Sequence, residues 1–343
     1  MSEELPKTLT AKDIADLSGV SRTTVFAVLK GKPGVTERTR EKVLDALRQH
    51  GYQNGLVQKS LIAELSRMVG VVVGNISNPF YTEVITGINS VLAPNGFHHL
   101  LHHGTDVHPQ EGVAAFESLG TYELRGYIMA AGEMERYEDH IRKVALAGYP
   151  LVTIMNAPGI PTHAITWDNR QSSRDATDYL ISQGHTRITC LTGPARSATA
   201  KERILGFVES LVSHEIDFHE SMTVRAGDTS AHGYSAALKV LSRRKQRPTA
   251  FVCCNDMVAM GVYKAAHELG LRIPGDLSVV GFDGIDMGEV FGPPLTTLSI
   301  FPCQIGIKAA QLLLEVISGE HSRAPVQFVM EHALIERESV RRL

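Results

Sequence analysis

At 343 residues, 43% hydrophobic and 21% charged, the chain has the length for a small domain plus a large one and the composition of a soluble globular protein. No apolar run approaches the ~20 residues needed to cross a bilayer. The start MSEELPKTLT is too acidic and polar for a secretory signal, which argues against a membrane or exported protein and predicts a cytoplasmic home. The net charge of −3 is uneven: residues 1–60 hold ten Lys/Arg against seven Asp/Glu, so the head carries +3 and the remaining 283 residues −6. A mildly basic head on an acidic body suits phosphate contact by the head and repulsion of DNA from the rest. The four cysteines have no metal or disulfide spacing and read as reduced structural thiols.

Residues 8–61 open the chain with three short helical patterns. Thr10, with Asp13 three residues on, resembles a capping box for a helix over 11–17. Ser18-Gly19-Val20 is a turn, and Ser21 caps a second helix over 21–29. A third helix, from about 36 to 49, buries Val43, Leu44 and Leu47. Two helices joined by a short glycine-containing turn form the helix-turn-helix pattern, whose second helix enters the major groove of DNA. On that helix Val25, Val28 and Leu29 are expected inward. Arg22, Thr23, Phe26, Ala27 and Lys30 are left to face a partner: Arg22 to read guanine or grip phosphate, Thr23 and Thr24 to bond bases or phosphates, Phe26 or Ala27 to touch a thymine methyl. The plainer alternative is a three-helix bundle with a solvated basic face.

The stretches TAKDIADLSGVSRTTV, VLKGKPGVTERTREKV and LRQHGYQNGLVQKSL closely resemble the DNA-binding headpiece of the lactose repressor (LacI/GalR) family of bacterial transcription regulators. The resemblance implies a headpiece over 1–54, with Thr10, Ser21, Arg22, Thr23, Thr24, Phe26, Ala27 and Lys30 at its DNA face. It also implies a hinge over 55–67 that forms a helix on operator DNA and wedges Leu61 into the minor groove, with Gln58 beside it. Several positions depart from the family. Phe26 and Ala27 stand where relatives carry Ser and a longer polar residue, Asn54 replaces a proline, and Gln58 replaces a small residue. An ordinary linker whose Leu61 and Ile62 pack on the core is the alternative.

From Met68 onward, short apolar runs alternate with amphipathic helices: MVGVVVG, FHHLLHH, GYIMAAG, PLVTIMN and AITWD in a first half, then RITCLTG, SMTVRAG, AFVCCND and SVVGFDG, with a helix over 112–120 among the connections. That rhythm predicts two doubly wound parallel sheets, each covered on both faces, with ligands at the carboxyl ends of the strands. The body resembles the type I periplasmic-binding-protein fold that the repressor family carries. The resemblance implies an N-lobe of about 68–167 and 298–326, and a C-lobe of about 168–297 and 327–340. The chain would pass between them near 168, 297 and 327. The last segment, ALIERESVRRL, has no leucine heptads, so a homodimer is expected rather than a coiled-coil tetramer.

Polar residues after the strands are the candidate effector site. Asn78-Pro79-Phe80-Tyr81 follows the first strand, and the family places a ligand-stacking aromatic at the position of Tyr81. Asp168 ends a strand at the lobe crossover. Lys201-Glu202-Arg203 and Gly206-Phe207 resemble a family helix whose second basic residue, here Arg203, reaches the effector, while Asn255 and Asp283 match effector-contacting positions. An aromatic platform with carboxylates, an amide and an arginine suits a polyhydroxylated ligand, so the expected effector is a sugar or sugar derivative. For Asn255 and Asp256 a helix cap or strand-end turn is an equal alternative. Trp167 is expected in the core, because strand alternation turns it away from the cleft if Asp168 points in. His98, His99, His102, His103 and His108 tempt a metal reading, yet alternation in a strand separates them onto two faces, and neither metal nor cofactor is predicted. No phosphate loop, nucleophile elbow or zinc-protease motif is present, so the expected function is binding rather than catalysis. The whole predicts a repressor-type regulator of a pseudo-palindromic operator, controlled by a small molecule between two lobes. A solute receptor with the same body would have no use for residues 8–61.

Overall fold

The computed structural model describes residues 10–30, 32, 34–50, 66–103, 124–131, 134–157, 159–243, 247–320 and 324–343. The linker residues 55–65, with Gln58 and Leu61, and the helix expected over 112–120 lie outside the described residues. Among those described, no helix is long and apolar enough to cross a membrane.

The head begins with caps. The Thr10 hydroxyl accepts from the Asp13 backbone N–H at 3.2 Å, and the Asp13 carboxylate accepts from the Thr10 N–H at 2.6 Å, starting α1 (Ala11–Ser18). Gly19, at φ 65°, ends it in the left-handed region that favours glycine. Ser21 caps α2 (Arg22–Leu29) and Thr36 caps α3 (Glu37–Gln49), each accepting from the N–H three residues on. Ala11, Ile14, Val25, Val28, Val43 and Leu47 form the core, and Phe26 joins them at 6% exposure. The expectation that Phe26 faces outward is therefore corrected. A helix held between two others buries an arc of about 160° at 100° per residue, wide enough to take Val25, Phe26 and Val28 together.

The body holds two six-stranded sheets. The first contains β1 (Met68–Val73), β2 (His98–His103), β3 (Tyr127–Ala130), β4 (Leu151–Ile154), β5 (His163–Trp167) and β11 (Gln327–Met330), in the order β11-β5-β4-β3-β1-β2, all parallel. The second contains β6 (Ile188–Thr192), β7 (Thr223–Arg225), β8 (Ala250–Cys253), β9 (Ser278–Asp283), β10 (Thr296–Ser299) and β12 (Ala333–Ile335), in the order β12-β10-β9-β8-β6-β7. Every pair in it is parallel except β10–β12, which is antiparallel. Nearly every described residue of β1 and β3–β6 is buried, as parallel strands covered on both faces must be.

Helices α4 (Pro79–Leu92), α5 (Glu138–Leu146) and α10 (Pro302–Ser318) belong to the first lobe, and α6 (Asn169–Ser182), α7 (Ala198–Ser213), α8 (Ser230–Leu241) and α9 (Asp256–Glu268) to the second. The closest helix pairs touch through glycine. A Cβ on Gly87 of α4 would meet the Cys303 carbonyl of α10 at 2.0 Å, and one on Gly306 of α10 would meet the Val84 carbonyl at 2.0 Å. Only a bare backbone permits that approach.

Two of the expected lobe boundaries move. β10 lies in the second sheet through Ser299, so the second passage falls at 300–301 rather than 297. β11 lies in the first sheet and β12 in the second, so the third falls at 331–332 rather than 327. The short β11 is half-exposed, unlike the fully buried β3 to β5 whose apolar runs mark the first sheet.

Candidate effector cleft and nucleic-acid interface

Each sheet reverses its strand order once, between β1 and β3 in the first and between β6 and β8 in the second. Connections leaving neighbouring strands to opposite sides open a crevice at such a point. The two crevices share one cleft of ≈ 250 Å³. The first lobe contributes Asn75, Asn78 and Tyr81 after β1, Ile154 and Met155 at the end of β4, and Trp167 of β5. The second contributes Ser197, Thr199 and Arg203 after β6, Cys254 and Asn255 after β8, and Asp283 of β9.

Arg203 anchors the second-lobe wall. Its Nε donates to Asn169 Oδ1 at 2.9 Å, a terminal nitrogen donates to the Cys254 carbonyl, and the guanidinium lies 3.3 Å from the centre of the Phe282 ring. Burial pulls its pKa below the usual value, and the nearby Asp283 carboxyl opposes that pull. Burial likewise holds Asp283 well above the usual carboxylate range, with Arg203 pulling it back. The Asp283 backbone sits at φ 113°, and Met155 across the cleft at φ 75°. Non-glycine residues rarely hold such angles unless their surroundings impose them, and they gather at functional sites.

Asn255 lines the cleft but is committed to the scaffold: its Oδ1 accepts from Val258 N–H at 2.7 Å and its Nδ2 donates to the Asp228 carbonyl at 2.8 Å. Asp256 is fully buried behind it, accepting from Gly284 N–H at 2.9 Å, Ile285 N–H at 3.0 Å and the Thr297 hydroxyl at 2.6 Å. Burial outweighs those donors and pushes its pKa up to about 7. Asn78 caps α4 through Phe80 N–H at 3.0 Å. Tyr81 packs edge-on to Phe80 with ring centres 5.2 Å apart, and a Cβ on Gly74 would strike its hydroxyl at 2.5 Å.

One pair exchanges places. Asp168 is not in the cleft wall: it is exposed and caps α6, accepting from Gln171 N–H at 2.8 Å. Trp167 is 7% exposed, as a core residue is, and also lines the cleft. Alternation would turn Asp168 inward only if the strand ran through it, whereas β5 ends one residue earlier and Asp168 already has cap geometry. The Trp167 indole N–H donates to Asn169 Oδ1 at 3.0 Å, the atom that also receives Arg203. Asn169, which follows Asp168 at the end of the strand, thereby couples the aromatic wall to the charged one.

The head presents a groove of ≈ 410 Å³ lined by Arg22, Thr23, Phe26, Ala27, Lys30 and Lys32. Arg22, Thr23 and Lys30 are exposed, and Phe26 keeps an edge on the groove floor. Thr10, Ser21 and Thr24 spend hydroxyl bonds on capping, with Ser21 Oγ 2.8 Å from Thr24 Oγ1. In β2, His99 and His102 are half-buried, and burial lowers their pKa values; among the described residues no three His, Cys, Asp or Glu side chains are placed to hold a metal.

Comparison with known proteins follows this division. The family model for bacterial regulatory proteins of the lacI family matches residues 10–54, and that for the periplasmic binding protein-like domain matches residues 177–340. The HTH-type transcriptional repressor PurR of Vibrio cholerae serotype O1 (strain M66-2) is 33% identical over 349 residues, spanning 97% of this chain and 98% of that protein. The transcriptional regulator CelR, solved as a cellobiose complex, matches with a TM-score of 0.72 at 27% identity, over 96% of this chain and 99% of its own. The lac repressor dimer bound to operator and the anti-inducer ONPF shares the fold, with a TM-score of 0.70 at 24% identity over 98% of this chain and 100% of that one. Similarity that runs through head and body alike is more than a shared module: the chain belongs to the lacI family of bacterial regulatory proteins, transcriptional regulators that join a DNA-binding helix-turn-helix to a ligand-binding body.

Proposed function

We propose that this regulator is a repressor working as a two-fold dimer on a pseudo-palindromic operator, and that a small polyhydroxylated molecule in the cleft sets its DNA affinity. The observation that carries this reading is the cleft itself, which draws an aromatic and apolar wall from one lobe and the Arg203 and Asp283 side chains from the other. Ring faces pack against the C–H groups of a sugar while Arg203 and Asp283 bond its hydroxyls. At ≈ 250 Å³ the space lies below the usual range for drug-sized ligands, which suits one sugar ring better than an oligosaccharide. The cellobiose bound by CelR is consistent with a carbohydrate class.

Head contact follows from Arg22, Thr23 and Lys30 on α2, with Phe26 and Ala27 offering thymine methyls an apolar floor. Few polar groups in the middle of this face imply an operator unlike those of relatives with longer side chains there. The hinge reading of Gln58 and Leu61 rests on family resemblance. An effector that binds one lobe arrangement better shifts the operator-competent population, by about 1–3 kcal/mol in typical systems. The protein is read as a binder and not an enzyme.

The test pairs calorimetry against a monosaccharide panel with anisotropy on labelled DNA from the adjoining intergenic region. A sugar that binds and changes operator affinity supports the proposal. Operator binding that no sugar alters, with saturation instead by a ligand of another class, overturns the carbohydrate reading.

A further inference from the structure

The second lobe carries another concavity, sharing no lining residue with the cleft. Its volume is ≈ 730 Å³, within the range of small-molecule sites. Arg187 stands just before β6, the end of β7 supplies Arg225, and the last turn of α8 with the residues after it supplies Lys239 and Arg243. All four are exposed, and among the described residues none of their side chains has an ion-pair or hydrogen-bond partner. Asp217 is the one carboxylate in the described lining.

Exposed cations are usually no more than solvated surface, and part of this cluster has that explanation. Lys239 and Arg243 lie at the carboxyl end of α8, where helix carbonyls favour positive charge. That account does not reach Arg187 and Arg225, which come from separate strands yet line the same concavity. Nor does it explain why four like charges gather on a part of the chain, residues 61–343, that is acidic overall at −6. Gathered like charges repel one another, and a bound anion removes that cost.

We infer that this groove binds an oligophosphate. Three of the four cations are arginines, whose planar forks match phosphate oxygens two at a time. Set against the single carboxylate, they leave a surplus of three positive charges, more than one phosphate monoester neutralises. An acidic peptide added along β7 is a poorer occupant, because that edge strand offers three residues for main-chain pairing. Apolar lining such as Met222 gives a nucleotide base somewhere to rest, so a nucleoside triphosphate and inorganic tripolyphosphate are the two sources of the shared chemistry.

The experiment uses full-length protein at low salt without divalent cations, titrated calorimetrically with sodium tripolyphosphate, ATP and hexaglutamate. Wild type and the Arg187→Ala/Arg225→Ala variant are compared with Arg22→Ala/Lys30→Ala in the head, the other cationic groove. At about tenfold per arginine, which is ~1.4 kcal/mol each, tripolyphosphate affinity should fall about a hundredfold in the body variant and less than about threefold in the head variant. Operator binding by the body variant should stay at the wild-type level, which also shows that it has folded. ATP binding above tripolyphosphate supports the proposal with a nucleotide as source, and equal binding supports it with the phosphate chain alone. The proposal is overturned by tripolyphosphate binding that survives in the body variant, by binding lost with the head residues instead, by hexaglutamate binding more tightly, or by no saturable binding at all.

Discussion

The two lobes share one strand order but furnish opposite chemistry at the cleft. The first lobe's wall is mainly Tyr81, Ile154, Met155 and Trp167, with the amides Asn75 and Asn78 beside them; the second brings Arg203, Asp283 and Asn255. The difference teaches how affinity and coupling divide. Apolar and aromatic contacts work in either lobe arrangement as long as the ligand stays seated. Polar contacts from Arg203 and Asp283 strengthen when water is excluded, so their contribution grows as the lobes approach. Two changes to the second lobe and two to the first test that division.

The largest effect is expected from Arg203→Ala. The side chain bonds Asn169 and Cys254 and stacks on Phe282, and a hydrogen bond to a charged group is worth about 1.5–3 kcal/mol. Effector affinity should fall by about a hundredfold or more, with a lower Tm, while operator binding without effector stays near wild type. Arg203→Lys keeps the charge but loses the fork that holds both Asn169 and Cys254, and should recover only part of the loss. Effector affinity unchanged in calorimetry would move the site away from this cleft.

A second test of the charged lobe is its dependence on pH. Burial raises Asp256 from 3.8 to about 7 and holds Asp283 well above the usual range. Because both folded values exceed the unfolded ones, the native state retains protons that the unfolded chain releases. Their contribution to stability is complete below the ordinary carboxylate range and is lost as pH rises through the folded values. Tm should therefore fall between about pH 4 and pH 7, and Asp256→Asn should flatten the slope even though it lowers Tm throughout. A slope identical in wild type and variant would contradict this account.

The aromatic lobe should respond more gently. Tyr81→Ala is expected to weaken effector binding about tenfold, the scale of one aromatic contact with its buried area. Trp167 is the chain's single tryptophan and lines the cleft, so its emission should shift on effector binding. The indole bond to Asn169 makes the same signal sensitive to Arg203. No change in emission with a ligand that calorimetry shows to bind would place that ligand elsewhere.

What was legible beforehand follows chemical range. Thr10 with Asp13, Ser21 and Thr36 are caps, settled by residues three positions away, and their helices start where the letters say. The alternation of apolar runs and helices exposed two parallel sheets because parallel strands are buried on both faces. The cleft was only partly legible. Asn78, Tyr81, Arg203, Asn255 and Asp283 meet there, yet the exchange of Asp168 for Trp167 turned on where β5 ends, a one-residue question that alternation cannot answer. Asn169 stands beside Asp168 at the strand end, but its bonds depend on Trp167 and Arg203 meeting in space. Phe26 was misplaced because burial on α2 is imposed by α1 and α3 together rather than by its own periodicity.

The smallest effect concerns a contact that joins the lobes directly. The Glu83 carboxylate on α4 accepts from the Asp286 backbone N–H of the second lobe at 3.0 Å. The site is half-buried, and burial first, then the neighbouring Asp286 carboxylate, raises the Glu83 pKa. Glu83→Ala removes one partly exposed hydrogen bond, about 0.5–1.5 kcal/mol. If the bond belongs to one lobe arrangement only, its loss should change effector-to-operator coupling by about threefold while leaving the Arg203 and Tyr81 contacts intact. Glu83→Gln keeps an acceptor and sheds the repulsion from Asp286, so it should restore wild-type coupling and lessen its dependence on pH. Coupling measured by anisotropy with and without effector separates the cases, because a bond present in both arrangements would leave the ratio untouched in either variant.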